Sequence, residues 1–234
     1  MNIAIIGAGM IGETLARRLA QLGHHVAIAN SRGPETLRGL ASEIGASAVT
    51  AREAARRGEI VVITIPERAV PDLPSDLFTG VAADVVVIDT GNYYPARDGP
   101  IAPIEQGQPE SAWVVDQIGR PVIKAFNNIY FSSLRDNGRP KGTPDRIALP
   151  VAGDPLEARA RVLRLVDDLG FDPVDAGGID ESWRQQPGTP CYTKDLNEAQ
   201  LRVALAAAVR DRVPEYRKAA DDAARAFFLK EPDR

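Results

Sequence analysis

The hydrophobic residues of this chain are concentrated in short apolar runs, and the segments between those runs are amphipathic or rich in turn residues. Short apolar runs predict buried strands, and apolar positions that recur every three to four residues predict helices. The predicted strands lie near 2–6, 25–30, 47–50, 59–65, 84–88, 121–125, 147–152 and 171–175. The predicted helices span 10–22, 34–44, 51–57, 109–118, 155–169 and 194–212. This alternation indicates an α/β, Rossmann-type doubly wound, mostly parallel sheet with helices on both faces.

Three segments depart from this regular pattern. Residues 132–146 and 176–193 are rich in glycine, proline and polar residues. Both are long for simple connections, so we expect them to wall a ligand site. The segment 214–234 is rich in alanine and charge, which predicts a helix docked on the body or on a partner subunit. We therefore divide the chain into a nucleotide-binding domain, 1–192, with its loops, and a short helical C-terminal extension, 193–234.

Composition narrows the class of protein further. The chain has 234 residues and a net charge of −4, without the basic excess expected for nucleic acid or an anionic membrane surface. Its single cysteine, Cys191, excludes an intrachain disulfide and a cysteine metal cluster. No signal peptide and no membrane-length apolar run is visible. We expect a cytoplasmic enzyme that uses no metal, membrane or nucleic acid.

The first predicted strand runs directly into Gly7-x-Gly9-x-x-Gly12, and a helix follows. In a dinucleotide site the first glycine permits the tight turn, the second lets the backbone approach a pyrophosphate, and the third allows close helix packing. The N–H groups at the helix start bind the phosphates. The alternative is a glycine turn without a ligand. The strand–turn–helix context favours a nucleotide site.

The end of the second predicted strand indicates which nucleotide binds. NAD-binding domains usually carry an acidic residue there for the ribose 2'-hydroxyl. This chain instead reads Asn30-Ser31-Arg32-Gly33-Pro34. A hydroxyl and a guanidinium suit a 2'-phosphate, and Pro34 suits a helix start that also points at the anion. We therefore predict that the bound nucleotide is NADP(H). The alternative for Arg32 is a charged loop residue exposed to solvent.

Small, amide and aromatic residues follow three further predicted strands. They are Thr64-Ile65-Pro66, then Asp89 to Pro95, which includes Gly91 and Asn92, and then Ala125-Phe126-Asn127-Asn128. Ligands of such sheets lie beyond the carboxyl ends of the strands, so these groups suit a ribose, a carboxamide and a flat ring. Ordinary turn chemistry is the alternative for any one of them.

Together these motifs, with Lys124-Ala-Phe-Asn127 and Pro187-Gly188, resemble the coenzyme F-420 (deazaflavin)-dependent NADP oxidoreductase family over roughly residues 1–205. The chain is also similar to the NADPH-binding domain of the STEAP metalloreductases, and more distantly to pyrroline-5-carboxylate reductase and the 6-phosphogluconate dehydrogenase group. The resemblance implies that Ala8, Gly9, Met10 and Ile11 line the pyrophosphate and that Ser31 and Arg32 hold the 2'-phosphate. It places Thr64, Ile65 and Pro66 beside the ribose and nicotinamide, and Ala125 to Asn127 near the nicotinamide ring. The long 132–146 segment and the C-terminal extension depart from the family pattern.

The acceptor side is less defined by sequence. The candidates are Asn128, Arg184, Pro187, Gly188 and Tyr192, where Arg184 either holds an anionic substrate group or pairs with Glu181. We assign no catalytic residue, because hydride passes directly once the two reacting groups are aligned. His24 and His25 precede the second strand, away from this edge, and are interpreted as structural, and Cys191 as an incidental thiol.

Three functions remain open at this stage. The first is NADPH-dependent hydride transfer to a deazaflavin or flavin acceptor. The second is reduction of a small carbonyl or imine, with Tyr93, Tyr94, Tyr192 or Lys194 as the proton donor. The third is a non-catalytic NADPH-sensing domain. A homodimer is plausible because residues 201–209 present an apolar face, although that face could equally belong to the intrachain core.

Overall fold

The computed structural model describes residues 1–230, so the end of the predicted extension, 231–234, lies outside the described residues. All eight predicted strands are present in one sheet. Their bounds are β1 Asn2–Ile6, β2 His25–Ala29, β3 Ser47–Ala48, β4 Ile60–Ile63, β5 Val86–Asp89, β6 Ile123–Lys124, β7 Ala148–Gly153 and β8 Asp172–Asp175. The order across the sheet is β3-β2-β1-β4-β5-β6-β7-β8, which confirms the mostly parallel, doubly wound architecture.

Direction changes once within this sheet. β1 to β6 are parallel, whereas β7 runs antiparallel to β6 with Ile123 opposite Gly153, and β8 is parallel to β7. The apolar pattern of a buried strand does not encode its direction, so the sequence could not predict this reversal. As a result, the segment after β8 starts at the edge opposite the carboxyl ends of β1 to β6. It must cross the sheet to reach a site at that edge.

Helices cover both faces of the sheet. Their bounds are α1 Met10–Gln21, α2 Arg38–Ile44, α3 Ala51–Arg57, α4 Pro95–Asp98, α5 Ala102–Glu105, α6 Glu110–Ile118, α7 Phe131–Asp136, α8 Leu156–Asp168, α9 Glu198–Ala206 and α10 Val213–Lys230. Short 3-10 turns occupy Pro34–Leu37, Glu67–Ala69, Ile179–Gln185 and Arg210–Arg212.

Two predicted helices differ in detail from the observed ones. The predicted helix 34–44 begins as the 3-10 turn Pro34–Leu37, and the predicted helix 194–212 is divided into α9 and the turn Arg210–Arg212. Three short helices, α4, α5 and α7, lie in segments predicted as loops. Helices of four to six residues are too short to show a hydrophobic period.

The alternation of side chains along β1 separates two core layers. Ile3 and Ile5 pack with Leu15 and Leu19 of α1 on one face, together with residues of α8. Ala4 and Ile6 face the opposite layer, which includes residues of α3. This two-sided burial holds the carboxyl ends of the central strands in fixed register, so the loops that follow them share a rigid base.

The described part of the C-terminal extension, 193–230, packs on the rest of the chain. Leu201 and Leu205 of α9 lie in a core cluster with Val174 and Cys191. Much of the apolar face predicted for residues 201–209 therefore belongs to the intrachain core, which was the alternative to a dimer interface. α10 lies against the segment that follows β5. The domain boundary at residue 192 stays a prediction. Within the described residues, every helix is too short or too polar to span a lipid bilayer.

Candidate dinucleotide-binding site

The glycine turn between β1 and α1 has the geometry that a pyrophosphate site requires. Gly7 adopts φ 118° and donates its N–H to Ala29 O at 2.8 Å. A side chain on Gly7 would collide with the carbonyl of Thr64, and one on Gly12 would collide with the carbonyl of Gly7. Gly9, by contrast, has no atom within 4 Å of the position a Cβ would take. Gly7 and Gly12 are thus required for packing, whereas Gly9 leaves open space for a ligand.

The start of α1 is open to solvent at this turn. Gly9 precedes the helix, no side chain caps it, and Met10 is exposed. Ala8 and Ile11 are half-buried and pack against the hydrophobic core, which holds the turn in place. The N–H groups at this helix end are therefore available to an anion, as the sequence predicts for Ala8 to Gly12.

The elbow after β2 lies beside this turn, because β1 and β2 are parallel neighbours with Ile6 opposite Ala29. Asn30 accepts the N–H of Arg32 at 3.0 Å and donates to Thr36 Oγ1 at 2.9 Å. Ser31 and Arg32 are exposed, and the Arg32 guanidinium has no hydrogen bond or ion pair with another described residue. A fixed loop with an uncommitted guanidinium suits a phosphate. The turn after Pro34 is a single 3-10 turn, so its N-terminus supplies less of a helix dipole than we predicted.

The loop after β4 closes the other side of the glycine turn. Thr64 donates its N–H to Ile6 O at 2.8 Å, and its carbonyl faces Gly7. Thr64, Ile65 and Pro66 are half-buried, and Ile65 packs with the apolar cluster on the α6 face. These contacts place the predicted ribose-side residues next to the predicted pyrophosphate turn.

Three amides join the loops after β5 and β6. Asn92 Nδ2 donates to Asn127 O at 2.9 Å, and Asn127 Nδ2 donates to Asn92 Oδ1 at 3.0 Å and to Gln185 O at 2.7 Å. Gln185 Nε2 donates to Asn127 Oδ1 at 2.9 Å. Beside them Phe126 is buried with φ 63°, a conformation that is rare for a bulky residue and is found mainly where function requires it. The structure therefore brings Asn92, Phe126 and Asn127 together.

A buried ionic cluster lies beneath these loops. Lys124 at the end of β6 is fully buried and donates to Asp89 Oδ2 at 3.1 Å and to Gly91 O at 2.6 Å. Asp89 also accepts the N–H of Gly91 at 2.8 Å and the hydroxyl of Ser111 at 2.5 Å. The backbone of Gly91 is thus held on both sides by charged groups, which fixes the turn that carries Asn92.

Two further carboxyls complete this cluster. Glu110 Oε2 lies 3.9 Å from Lys124 Nζ, and a side chain on Gly91 would meet Glu67 Oε1. Both oxygens of Glu67 and Oε2 of Glu110 lack a hydrogen-bond partner among the described residues. Burial, reinforced by the charge of Asp89, raises the pKa of Glu67 well above its usual value. Burial of Glu67 therefore favours its uncharged form.

Glu110 and Lys124 respond to the same environment. Burial raises the pKa of Glu110 to about 7, although the charges of Lys124 and Arg217 oppose this rise. Burial lowers the pKa of Lys124, but attraction to Asp89, Glu110 and Glu67 outweighs it and leaves the pKa raised. Lys124 is therefore charged, and Glu110 is the group of the cluster that titrates near neutrality.

The sequence predictions included Asp89 and Lys124 only as members of two separate motifs, and did not include Glu67 or Glu110. The signal was present in part, because Asp89 and Lys124 are charged residues at the ends of otherwise apolar strands. Such residues are almost never fully buried unless they are paired. Glu67 and Glu110 lie in a loop and at a helix start, where acidic residues are ordinary, so their burial follows from tertiary contacts alone.

On the acceptor side the structure joins Tyr192 to the loop after β5. The hydroxyls of Tyr94 and Tyr192 lie 2.5 Å apart. Burial raises the pKa of Tyr94 to about 12 and that of Tyr192 well above its usual value, so both hydroxyls stay protonated. Thr193 donates its N–H to Asn128 O at 2.9 Å, which ties the 185–193 segment to the loop after β6.

Three other predicted acceptor residues lie in the same region. Pro187 is buried, and Gly188 adopts φ 79° with its Cα against the carbonyl of Tyr216 in α10. The Asn128 amide is buried, and neither its oxygen nor its nitrogen has a hydrogen-bond partner among residues 1–230. A buried amide without partners is energetically costly.

Arg184 pairs with Glu181, which is the second of the two interpretations that the sequence left open. Its Nε donates to Glu181 Oε2 at 2.6 Å, and its guanidinium lies 4.5 Å from the centre of the Trp183 ring. The cation therefore has the partner that the alternative named, and its anion-binding role stays a prediction. Neighbouring Cys191 is buried with a pKa raised to about 11 by that burial, as expected of an inert thiol.

The segment 132–146 has different contacts from those that we expected of an acceptor wall. Arg18 of α1 donates to Leu134 O at 2.5 Å and to Leu169 O at 2.6 Å. Arg146 is buried and pairs with Asp167 and Asp172 at 2.7 and 2.8 Å. These contacts attach the segment to α1, α8 and β8.

Comparison with known proteins agrees with this site. Residues 2–93, which carry the glycine turn, the Arg32 elbow and the Asn92 loop, match the family "NADP oxidoreductase coenzyme F420-dependent". The YjhV protein of Escherichia coli K12 is 47% identical over 82 residues, which are 35% of this chain and 53% of YjhV, so the aligned segment spans about half of that relative.

Solved structures extend the likeness to most of the chain. The hypothetical protein SMa0349 from Sinorhizobium meliloti is 31% identical with a TM-score of 0.70, over 85% of this chain and 96% of its own. A protein named as a candidate F420-dependent NADP-reductase from Arthrobacter sp. FB24 is 24% identical with a TM-score of 0.62, over 76% of this chain and 86% of its own. The latter supports the fold alone, and the similarity to STEAP domains stays a prediction. Residues 2–93 of the chain belong to the coenzyme F420-dependent NADP oxidoreductase family.

Proposed function

We propose that this protein transfers hydride between NADP(H) and a planar deazaflavin or flavin acceptor. The observation that carries the proposal is that the open glycine turn, the Arg32 elbow, the amides after β5 and β6 and Tyr94 all follow the carboxyl ends of parallel strands, where Tyr192 meets Tyr94. In such a sheet this edge is where one extended nucleotide and its reaction partner meet.

The nucleotide side follows from contacts already described. The start of α1 at Gly9 would bind the pyrophosphate, and Ser31 with Arg32 would bind the 2'-phosphate. Thr64, Ile65 and Pro66 would border the ribose. Asn92, Phe126 and Asn127, held by the amide network and by the Lys124 cluster, would line the nicotinamide. The bound nucleotide supplies the hydride chemistry, and the chain contributes alignment and shelter from water.

The acceptor side favours a flat ring over a small flexible molecule. Tyr94 lies in the loop after β5, and the 185–193 segment brings Tyr192 against it, while the buried Asn128 amide in the loop after β6 lacks a hydrogen-bond partner among the described residues. Aromatic rings stack on planar heterocycles, and an amide can bind the carbonyl and N–H groups at the edge of a deazaflavin or flavin. Hydride transfer between two aligned rings needs no protein nucleophile.

The second candidate is reduction of a small carbonyl or imine, and the Tyr94–Tyr192 pair is the observation that favours it. The structure narrows the predicted donors, because Tyr93 is fully buried with its hydroxyl bonded to Glu105 at 2.9 Å and to Ile101 N at 3.0 Å. Lys194 is exposed. Tyr192 and Tyr94 keep their protons at neutral pH, so either could donate one to a developing alkoxide or amide.

The test compares acceptors in the wild-type protein and in Tyr192→Phe. Loss of reduced-nicotinamide absorbance is followed with deazaflavin, flavin, quinone and carbonyl acceptors. Oxidation by deazaflavin or flavin, with kcat nearly retained in Tyr192→Phe, supports ring-to-ring transfer. Oxidation by a carbonyl or imine alone, with kcat reduced about 100-fold or more in Tyr192→Phe, would replace it with the second function.

The assembly and compartment are also proposals. We propose a cytoplasmic enzyme that acts on a small molecule and forms a homodimer through surface outside the α9 core contacts, where Val203 and Val209 remain exposed. A monomeric mass by light scattering would remove the dimer without affecting the proposed reaction.

A further inference from the structure

α10 is anchored on the loop after β5 by two buried charged side chains. Asp221 accepts the N–H of Ala96 at 2.8 Å. Arg217 donates to Ile104 O at 3.1 Å and lies 5.4 Å from the centre of the Tyr93 ring. Both side chains are nearly inaccessible to solvent. Buried polar groups need defined partners, so this helix is docked in one specific position.

The same helix contacts the 185–193 segment at Gly188. The Cα of Gly188 lies against the backbone carbonyl of Tyr216, and any side chain at that position would collide with it. α10 therefore touches both segments that carry the tyrosine pair, because Tyr94 belongs to the first and Tyr192 to the second.

The far end of α10 reaches the tyrosine pair through one aromatic ring. Phe228 packs edge-on against Tyr94, with ring centres 5.0 Å apart and an interplanar angle of 63°. The Arg97 guanidinium lies 5.4 Å from the Tyr94 ring centre and 5.5 Å from that of Phe228. Arg97 also donates to the carbonyl of Asn92. Phe228 is thus two contacts from Tyr192 and from the Asn92 loop.

α10 has no comparable link to the nucleotide elements. Among the described residues, no hydrogen bond, ion pair or ring contact joins it to residues 7–12, 30–32 or 64–66. The family match ends at residue 93, so this helix lies outside the segment that the chain shares with that family model.

We propose that α10 is the acceptor-selecting wall of the site, and that Phe228 is a specificity-determining residue that holds Tyr94 for stacking on a planar ring acceptor. This inference rests on the proposed function. Without the Phe228 ring, Tyr94 can rotate away from Tyr192, so a ring acceptor loses an ordered surface, whereas NADP(H) keeps all of its contacts.

The experiment compares Phe228→Ala with Phe227→Ala in the full chain. Phe227 is the matched control, because it is adjacent in the helix, is 42% exposed, and among the aromatic rings of the described residues contacts only that of Phe228, 5.9 Å away. Calorimetry gives the NADPH dissociation constant, and steady-state assays give KM and kcat for a deazaflavin and for FMN. We expect Phe228→Ala to raise the acceptor KM about fivefold, the value of one edge-to-face aromatic pair, with NADPH affinity unchanged. Phe227→Ala should behave as wild type.

The outcomes separate this inference from the proposed function. An acceptor KM unchanged in Phe228→Ala, or an equal loss of NADPH affinity, would overturn the inference while leaving the proposed function intact. If the wild-type protein transfers hydride to no ring acceptor, the proposed function fails first and the inference falls with it. If Phe228→Ala does not fold, Phe228→Leu replaces it in the experiment, because leucine keeps most of the apolar volume and removes the aromatic ring. The same rise in acceptor KM is expected of it.

Discussion

Substitution of Glu110 by glutamine tests the buried ionic cluster directly. In the folded protein the pKa of this carboxyl is about 7, against 4.5 for the exposed group, mainly because of burial. At pH values between these two pKa values, the folded state therefore keeps a proton on Glu110 that the unfolded state has released. It follows that the stability of the wild type falls as pH rises through this window, and levels off above the folded pKa.

The size of the effect follows from the shift. One pKa unit corresponds to about 1.4 kcal/mol of unfolding free energy, so the whole shift of the Glu110 pKa changes that free energy by roughly 3 kcal/mol. Roughly 2 to 3 kcal/mol of this change falls between about pH 5 and about pH 8. Glutamine has nearly the shape of protonated glutamate and does not titrate. We expect Glu110→Gln to become more stable relative to wild type by this amount as the pH rises.

Urea unfolding at a series of pH values measures the effect, with Glu157→Gln as the matched control. Glu157 is an exposed residue in the first turn of α8 and is remote from the cluster. Its substitution should leave the pH dependence of the unfolding free energy parallel to that of wild type. If the Glu110→Gln curve is also parallel to wild type, the reasoning that burial holds this proton is wrong.

Three further outcomes follow from the contacts. Arg32→Ala should raise the NADPH dissociation constant, measured by calorimetry, at least tenfold and should barely alter NADH binding. The reason is that a charge-assisted contact to the 2'-phosphate contributes about 1.5 to 3 kcal/mol. Arg56 is exposed at the opposite edge of the sheet, so Arg56→Ala should change the affinity for neither nucleotide. Lys124→Met should lower the unfolding free energy by roughly 3 to 5 kcal/mol because it leaves Asp89 unpaired in the interior, whereas the exposed Lys141→Met should cost no more than about 1 kcal/mol. Arg184→Ala should lower stability by about 1 kcal/mol and leave acceptor KM unchanged, and a selective rise in that KM would restore the anion-binding role that its pairing with Glu181 argues against.

The elements that the sequence predicted well are those defined by local patterns. The eight strands, the glycine turn and helices such as 51–57 follow from residues that are neighbours in the chain. The Arg32 elbow belongs with them, because it is identified by its distance from the glycine turn. The short helices α4, α5 and α7 were missed, since so few residues leave no hydrophobic period to detect.

What required the structure are contacts between residues far apart in the chain. Glu67, Asp89, Glu110 and Lys124 meet only because β4, β5, β6 and the start of α6 converge, and the pKa values follow from that burial. The pairing of Arg184 with Glu181 likewise became visible only in the side-chain packing.

The sequence by itself thus determined the turn and the elbow where we propose that the dinucleotide binds, because a tight turn, a helix start without a capping side chain and a basic residue at a strand end are properties of short stretches of chain. The tertiary structure alone decided the direction of β7, the raised pKa values of Glu67 and Glu110, and the position of α10 against Tyr94. These depend on burial and on pairings across many residues, and the free energy of such pairings is set only when the strands and helices pack together.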